Sequence, residues 1–117
     1  MDEQSLNAVS LEIVEAAIEI HRTVGPGLLE SVYRSCMIYE LRERGLTVMA
    51  EQFVAVRYKK LVLDASYRID LLVEGAVIVE LKSVETVLLV HHAQLLSYLR
   101  LMNRRLGLLL NSTFQYL

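Results

Sequence analysis

The stretch from residue 69 to residue 81 restricts this chain more than any other. Two apolar runs, 69–73 and 76–81, meet at Glu74 and Gly75 yet carry Asp70 and Glu80 inside them, with Lys82 directly after the second. A glycine-containing pair between two such runs is the chemistry of a tight hairpin turn. Asp70 and Glu80 stand equally far on either side of Gly75, so hairpin pairing brings the two carboxylates side by side. The second run is almost continuously apolar and reads as a central strand. Alternation along it puts Glu80 and Lys82 on one face and Leu81 on the other. Two adjacent carboxylates at the end of a largely buried hairpin repel each other, at a cost of several kcal/mol unless a cation neutralises them. Hard oxygen ligands suit magnesium or manganese. With the neighbouring ammonium to orient or deprotonate a water, the set has the chemistry of phosphodiester hydrolysis. A solvated Glu80–Lys82 salt bridge at a strand end accounts for the same spacing.

The rest of the chain supplies a frame. Over residues 8–23, Val9, Ile13, Ala16, Ala17 and Ile20 recur at helical spacing, with Glu12, Glu15 and Glu19 to one side. Gly25, Pro26 and Gly27 break this helix. A second helical pattern covers 28–44 and ends at Gly45, which tolerates a left-handed C-cap. β-Branched, alternating texture follows over 46–50, 53–58 and 61–67, predicting a meander of about three strands with the hairpin. A third helix covers 88–103, with Leu95, Leu96, Leu99 and Met102 as its buried side, and 108–110 reads as a short buried strand. On the third helix His91, Gln94, Tyr98 and Arg105 fall on a stripe opposite the leucines. That stripe either faces the end of the sheet, where Gln94 and Tyr98 would bind phosphate or steady the lysine, or faces solvent. His91 and His92 point apart, which argues against joint metal ligation. On the second helix Glu30 and Tyr33 share a face beside Met37, although a carboxylate in a first helical turn is favoured by the helix dipole in any case. Cys36 sits in an apolar pattern and reads as core.

A length of 117 residues predicts a single domain over 1–117 that buries a core without disulfides. No apolar run approaches the roughly 20 residues needed to span a bilayer. An acidic N-terminus and a lone cysteine lead to the expectation of a soluble, cytoplasmic protein. Net charge is −2, without the basic excess of most nucleic-acid binders, but the distribution is uneven. Residues 1–56 hold four basic and nine acidic side chains, and residues 57–105 hold eight basic and five acidic. An apolar content of 54% in so short a chain suggests surface covered by a partner, a homodimer being the simplest form.

The segment GLLESVY at 27–33 carries the pattern for which the GxxExxY proteins are named, a branch of the PD-(D/E)XK nuclease superfamily, and the chain resembles that family over roughly residues 10–111. The blocks AAIEIHRTVGPG, ELRERGL, YRIDLLVEGAVIVELKSVE, HHAQLLSYL and LGLLLN follow in the family's order and spacing. The chain departs from the family's pattern at Lys60, at Leu88 and Leu89, and at Ser112 and Thr113. The resemblance implies an α/β fold with an αβββαβ core, a mixed central sheet flanked by helices. It further implies Asp70 and Glu80 as ligands of magnesium or manganese, Glu30 completing or supporting that site, Lys82 acting on the attacking water, and Gln94 and Tyr98 contributed by the third helix. His21 and Tyr33 fall on family positions with supporting roles. The expected function is metal-dependent hydrolysis of nucleic acid, DNA in particular. The alternative is a nuclease-fold protein that binds nucleic acid or a protein partner as a dimer without cutting it.

Overall fold

Asp2 opens the structure as a helix N-cap, its carboxylate accepting from the Ser5 N–H at 2.8 Å, so the first helix begins five residues earlier than apolar periodicity suggests. The computed structural model describes residues 1–113, apart from the side chains of Ala65 and Ser66. Its elements are α1 (Glu3–Val24), α2 (Glu30–Glu43), β1 (Val48–Tyr58), β2 (Leu61–Val73), β3 (Val77–Lys82), α3 (Leu89–Met102) and β4 (Leu106–Asn111). Gly45 ends α2 as expected: it adopts φ +84°, and the Leu46 N–H reaches back to the Leu41 carbonyl.

The four described strands form one mixed sheet in the order β1-β2-β3-β4. β1, β2 and β3 pair antiparallel, and β4 lies parallel to β3 after the α3 crossover. From α2 onward this is the expected αβββαβ order. Glu74 and Gly75 both have positive φ, 54° and 62°, and the Ala76 N–H donates to the Val73 carbonyl at 3.0 Å, a tight turn matched to strand twist across which Val73 pairs with Val77.

Two layers of core sandwich the sheet. Val77, Val79 and Leu81 of β3, with Leu71 and Val73 of β2, pack against Ile13, Ala16, Tyr33 and Met37 of α1 and α2. Ile78 and Leu72 face the other way, against Leu95 and Tyr98 of α3. Gly107 lets α3 lie directly on β4, since a Cβ there would stand 2.8 Å from Leu95 Cδ1. On α3 the expected buried side holds only in part. Leu95 is buried and Leu99 and Met102 partly so, but Leu96 is turned to solvent, because the helix touches the sheet along a narrow stripe.

Where residues 46–50 and 53–58 read as separate runs, and 61–67 and 69–73 likewise, each pair belongs to one strand with a fault in it. Val48 and Ala50 pack on the α1/α2 side, whereas Val54 packs on the α3 side despite the same parity. On β2, Leu71 and Ile69 are split between the two sides in the same way. The reversals of face coincide: Ala50 pairs with Leu71 and Gln52 with Ile69 in one register, the Glu51–Asp70 step between them is not a regular pair, and Glu51 is left-handed at φ 52°; the register itself shifts further out, between Val54 and Val56. Asp70 therefore sits where β2 changes phase.

Candidate active site

At Asp70 the ladder between β2 and β3 gives way to side chains. Regular pairing runs from Val73–Val77 to Leu71–Val79 and stops. Beyond it, the Asp70 N–H donates to Glu80 Oε1 at 3.1 Å, and the Leu81 N–H donates to Asp70 Oδ2 at 2.8 Å. Each carboxylate thus takes the place of a backbone carbonyl on the opposite strand, and the two acids predicted to converge do so.

Their electrostatic situations differ. Asp70 has a counter-ion in Arg34 of α2, whose Nε and Nη2 both lie 3.0 Å from Oδ1. Arg34 is only 19% exposed in its side chain, and its Nη1 reaches Glu51 Oε1 at 3.3 Å, so one guanidinium spans both residues of the fault. Glu80, on the central strand and 6% exposed, has no ion pair within 4 Å among the described residues. Burial, and then the charge of Asp70, push its carboxyl from the ordinary 4.5 to about 7. The Lys82 ammonium, two residues along the same face, pulls the other way without cancelling these effects.

α3 closes this side of the site. Tyr98 is buried one turn after Leu95, its phenol pushed up in pKa by burial and by the nearby charge of Glu80, so it stays protonated and available as a donor. Its ring meets Tyr67 of β2 edge-on at 5.7 Å. This corrects the expected stripe: Tyr98 shares the buried side with Leu95 and does not lie opposite the leucines. Gln94 is half-buried one turn before it. Arg105 lies beyond the end of α3, exposed and donating to the Met1 carbonyl, while His91 caps the helix start by accepting from the Leu88 N–H at 3.0 Å.

Glu30, the first residue of α2, accepts from the Ser83 N–H at 3.3 Å, one residue past Lys82. It is held there by a serine latch. Ser83 Oγ and Ser112 Oγ lie 2.5 Å apart, and each donates to the Leu28 carbonyl or lies within reach of it, at 2.6 and 2.8 Å. The Gly27 N–H donates to the Ser112 carbonyl at 2.7 Å, so the loop before α2 is fastened to the ends of β3 and β4. His21 and Tyr33 come together elsewhere, stacked at 5.6 Å between α1 and α2; burial lowers the pKa of His21, and Tyr33 is fully enclosed.

Among the described residues no three His, Cys, Asp or Glu side chains come close enough to share one ion. Glu30 stands on the Ser83 N–H at the end of β3. Two carboxylates, one of them buried and disfavoured as an anion on its own, fit a magnesium-type ion, which commonly takes one or two protein carboxylates and completes its shell with water and phosphate oxygens. Arg34, Ser83 and Ser112 escape a reading of the sequence. Arg34 carries a faint signal, since it follows Glu30 by one helical turn on the same face, but the two serines carry none.

A helix, three antiparallel strands, a second helix and a parallel strand, with an acid pair on the hairpin and a lysine two residues past the second acid, define a nuclease-type frame. A sequence model of the PD-(D/E)XK nuclease superfamily matches residues 7–116, and the chain belongs to that superfamily. No curated protein and no solved structure matches it. No helix among the described residues is long and apolar enough to cross a membrane.

Proposed function

We propose that the protein hydrolyses phosphodiester bonds of nucleic acid, DNA in particular, with magnesium or manganese held by Asp70 and Glu80, as a GxxExxY-type member of its superfamily. The observation that carries this reading is Glu80: a buried carboxylate beside Asp70, lacking a counter-ion, is disfavoured as an anion unless a cation joins it. A bound divalent ion supplies Lewis-acid stabilisation of developing charge and an acidified water. The residues do the remaining work. Arg34 supplies Asp70 with a counter-ion on Oδ1 and leaves its Oδ2 aimed at β3. Lys82 projects on the Glu80 face, where its ammonium orients the attacking water or a phosphate oxygen. Tyr98, buried and close enough to feel the charge of Glu80, offers with Gln94 hydrogen-bond donors on the α3 side. Glu30, fixed by the serine latch, adds negative charge at the end of β3.

A non-cutting, nucleic-acid-binding role is favoured by one observation, the pairing of Asp70 with Arg34, which gives that carboxylate a counter-ion without any metal. Calorimetric titration of manganese into the wild type and D70N, together with cleavage assays on linear and circular DNA and on RNA, separates the readings. Hydrolysis is supported by metal binding and metal-dependent cleavage that D70N and K82A both abolish. Metal binding absent from the wild type removes it.

A further inference from the structure

Beyond the Glu51–Asp70 fault, β1 and β2 leave the rest of the sheet. β2 has partners on β3 only from Leu71 to Val73, whereas its pairing with β1 continues to the turn at Lys59 and Lys60. The base of this two-stranded ribbon is covered by α3 through Val54, Ile69 and Tyr67, and its outer part is open, with Arg57, Tyr58, Lys59, Lys60 and Leu61 all exposed.

The ribbon concentrates positive charge in a chain that is acidic overall. Residues 52–69 hold Arg57, Lys59, Lys60 and Arg68 against Asp64 alone, while the whole chain carries −2. Arg68 is drawn back to Glu51 at 3.4 Å, which leaves Arg57 and the two lysines facing outward. Aromatic surface is interleaved with them: Phe53 is 64% exposed, and Lys59 Nζ stands 5.3 Å from the centre of the Tyr58 ring. Beside the ribbon, Arg57 and Arg100 of α3 border an open recess of about 370 Å³ together with Phe53 and Leu101, so the basic surface extends from the tip back toward α3.

We infer that this ribbon is a docking surface for double-stranded DNA, inserted into the major groove so that the duplex runs back along β2 toward Asp70. A major groove admits a two-stranded ribbon, whereas the corresponding groove of an RNA duplex is too deep and narrow. At roughly 3.3 Å per residue, residues 52–58 span about 23 Å, some two-thirds of a DNA turn of about 34 Å. Lysines at the tip supply phosphate contacts, and the exposed apolar side chains beside them meet base edges and thymine methyl groups. The inference deepens the nuclease reading by naming the partner of the site, and it is tested without hydrolysis.

The test is fluorescence anisotropy with a labelled 20-base-pair duplex in chelator, at about 50 to 200 mM salt, for the wild type, K59Q/K60Q and R22Q. Loss of two phosphate contacts lowers the slope of log K against log salt by about 1.8 and weakens binding about tenfold at the higher salt. R22Q, a charge removed from exposed α1, retains wild-type affinity. Unchanged melting temperatures show that the tip variants are folded. Wild-type affinity and slope in K59Q/K60Q, or no duplex binding by the wild type at low salt, overturns the inference. So does sedimentation showing that Phe53 and Leu61 bury themselves in a dimer that excludes DNA. Binding that needs the ribbon in a protein that cleaves nothing supports the docking surface while defeating the nuclease reading, so the two fail separately.

Discussion

Replacing Glu80 by glutamine keeps the hydrogen bond from the Asp70 N–H but removes the charge that burial disfavours. The folded protein holds the Glu80 proton up to about pH 7, whereas the unfolded chain releases it near 4.5. Across that window the folded state binds more protons, so stability is highest below 4.5, declines as pH rises, and levels off above 7. The difference between 4.5 and about 7 corresponds to about 3 kcal/mol. Urea unfolding at pH 5 and pH 8 in chelator should show the wild type losing up to this amount relative to E80Q, because all other titrations are common to both and cancel. Magnesium at pH 8 should then restore the wild type by mass action, about 2.7 kcal/mol at one hundred times its dissociation constant, with E80Q gaining much less. A wild-type-minus-variant difference that is flat between the two pH values would refute the account of Glu80. Equal stabilisation of both proteins by magnesium would refute its place beside the ion.

Arg34→Gln should act with opposite signs on two measurements. It leaves Asp70, 15% exposed in its side chain, without a counter-ion, and lowers stability in chelator by about 1 to 3 kcal/mol, yet it raises manganese affinity in calorimetry because the guanidinium no longer competes for Oδ1. Reduced stability with weaker metal binding would contradict the counter-ion role. Gly107→Val drives a side chain into Leu95 and should cost about 1 to 3 kcal/mol in urea. As α3 lifts, Tyr98 should become more solvent-accessible, read by its fluorescence; an unshifted urea midpoint would show that α3 does not rest on Gly107.

What the sequence made legible was mostly local. The turn at Glu74 and Gly75, the convergence of Asp70 with Glu80 and the end of α2 at Gly45 each depend on a few adjacent residues whose conformational preferences agree with the fold. The early start of α1 was also local, in the spacing of Asp2 and Ser5, but lies outside the apolar pattern. Tyr98 was misplaced for a different reason. A helical wheel ranks positions by polarity, and the tyrosine belongs with Leu95 because Glu80 presents a polar spot inside an otherwise apolar layer. Arg34 and the serine latch depend on where α2 docks, which no spacing within one element encodes.

The fault at Glu51 and Asp70 joins these observations. With unbroken alternation Asp70 would share the face of Leu72, beneath α3 with Glu80 and out of reach of α2. Two carboxylates would then occupy one dry layer with no guanidinium available, the least favourable arrangement for either. The change of face lets Asp70 bridge the layers, its Oδ1 toward Arg34 on the α2 side and its Oδ2 on the Leu81 N–H. Irregular strand pairing of this kind commonly re-aims a side chain beside a functional site. The same change of face falls where the β2–β3 ladder stops and β1 and β2 continue outward as a two-stranded ribbon. One local departure from regular pairing therefore sets both the asymmetry of the acid pair and the direction of the basic surface, which places the candidate chemistry at the root of the element proposed to hold the duplex.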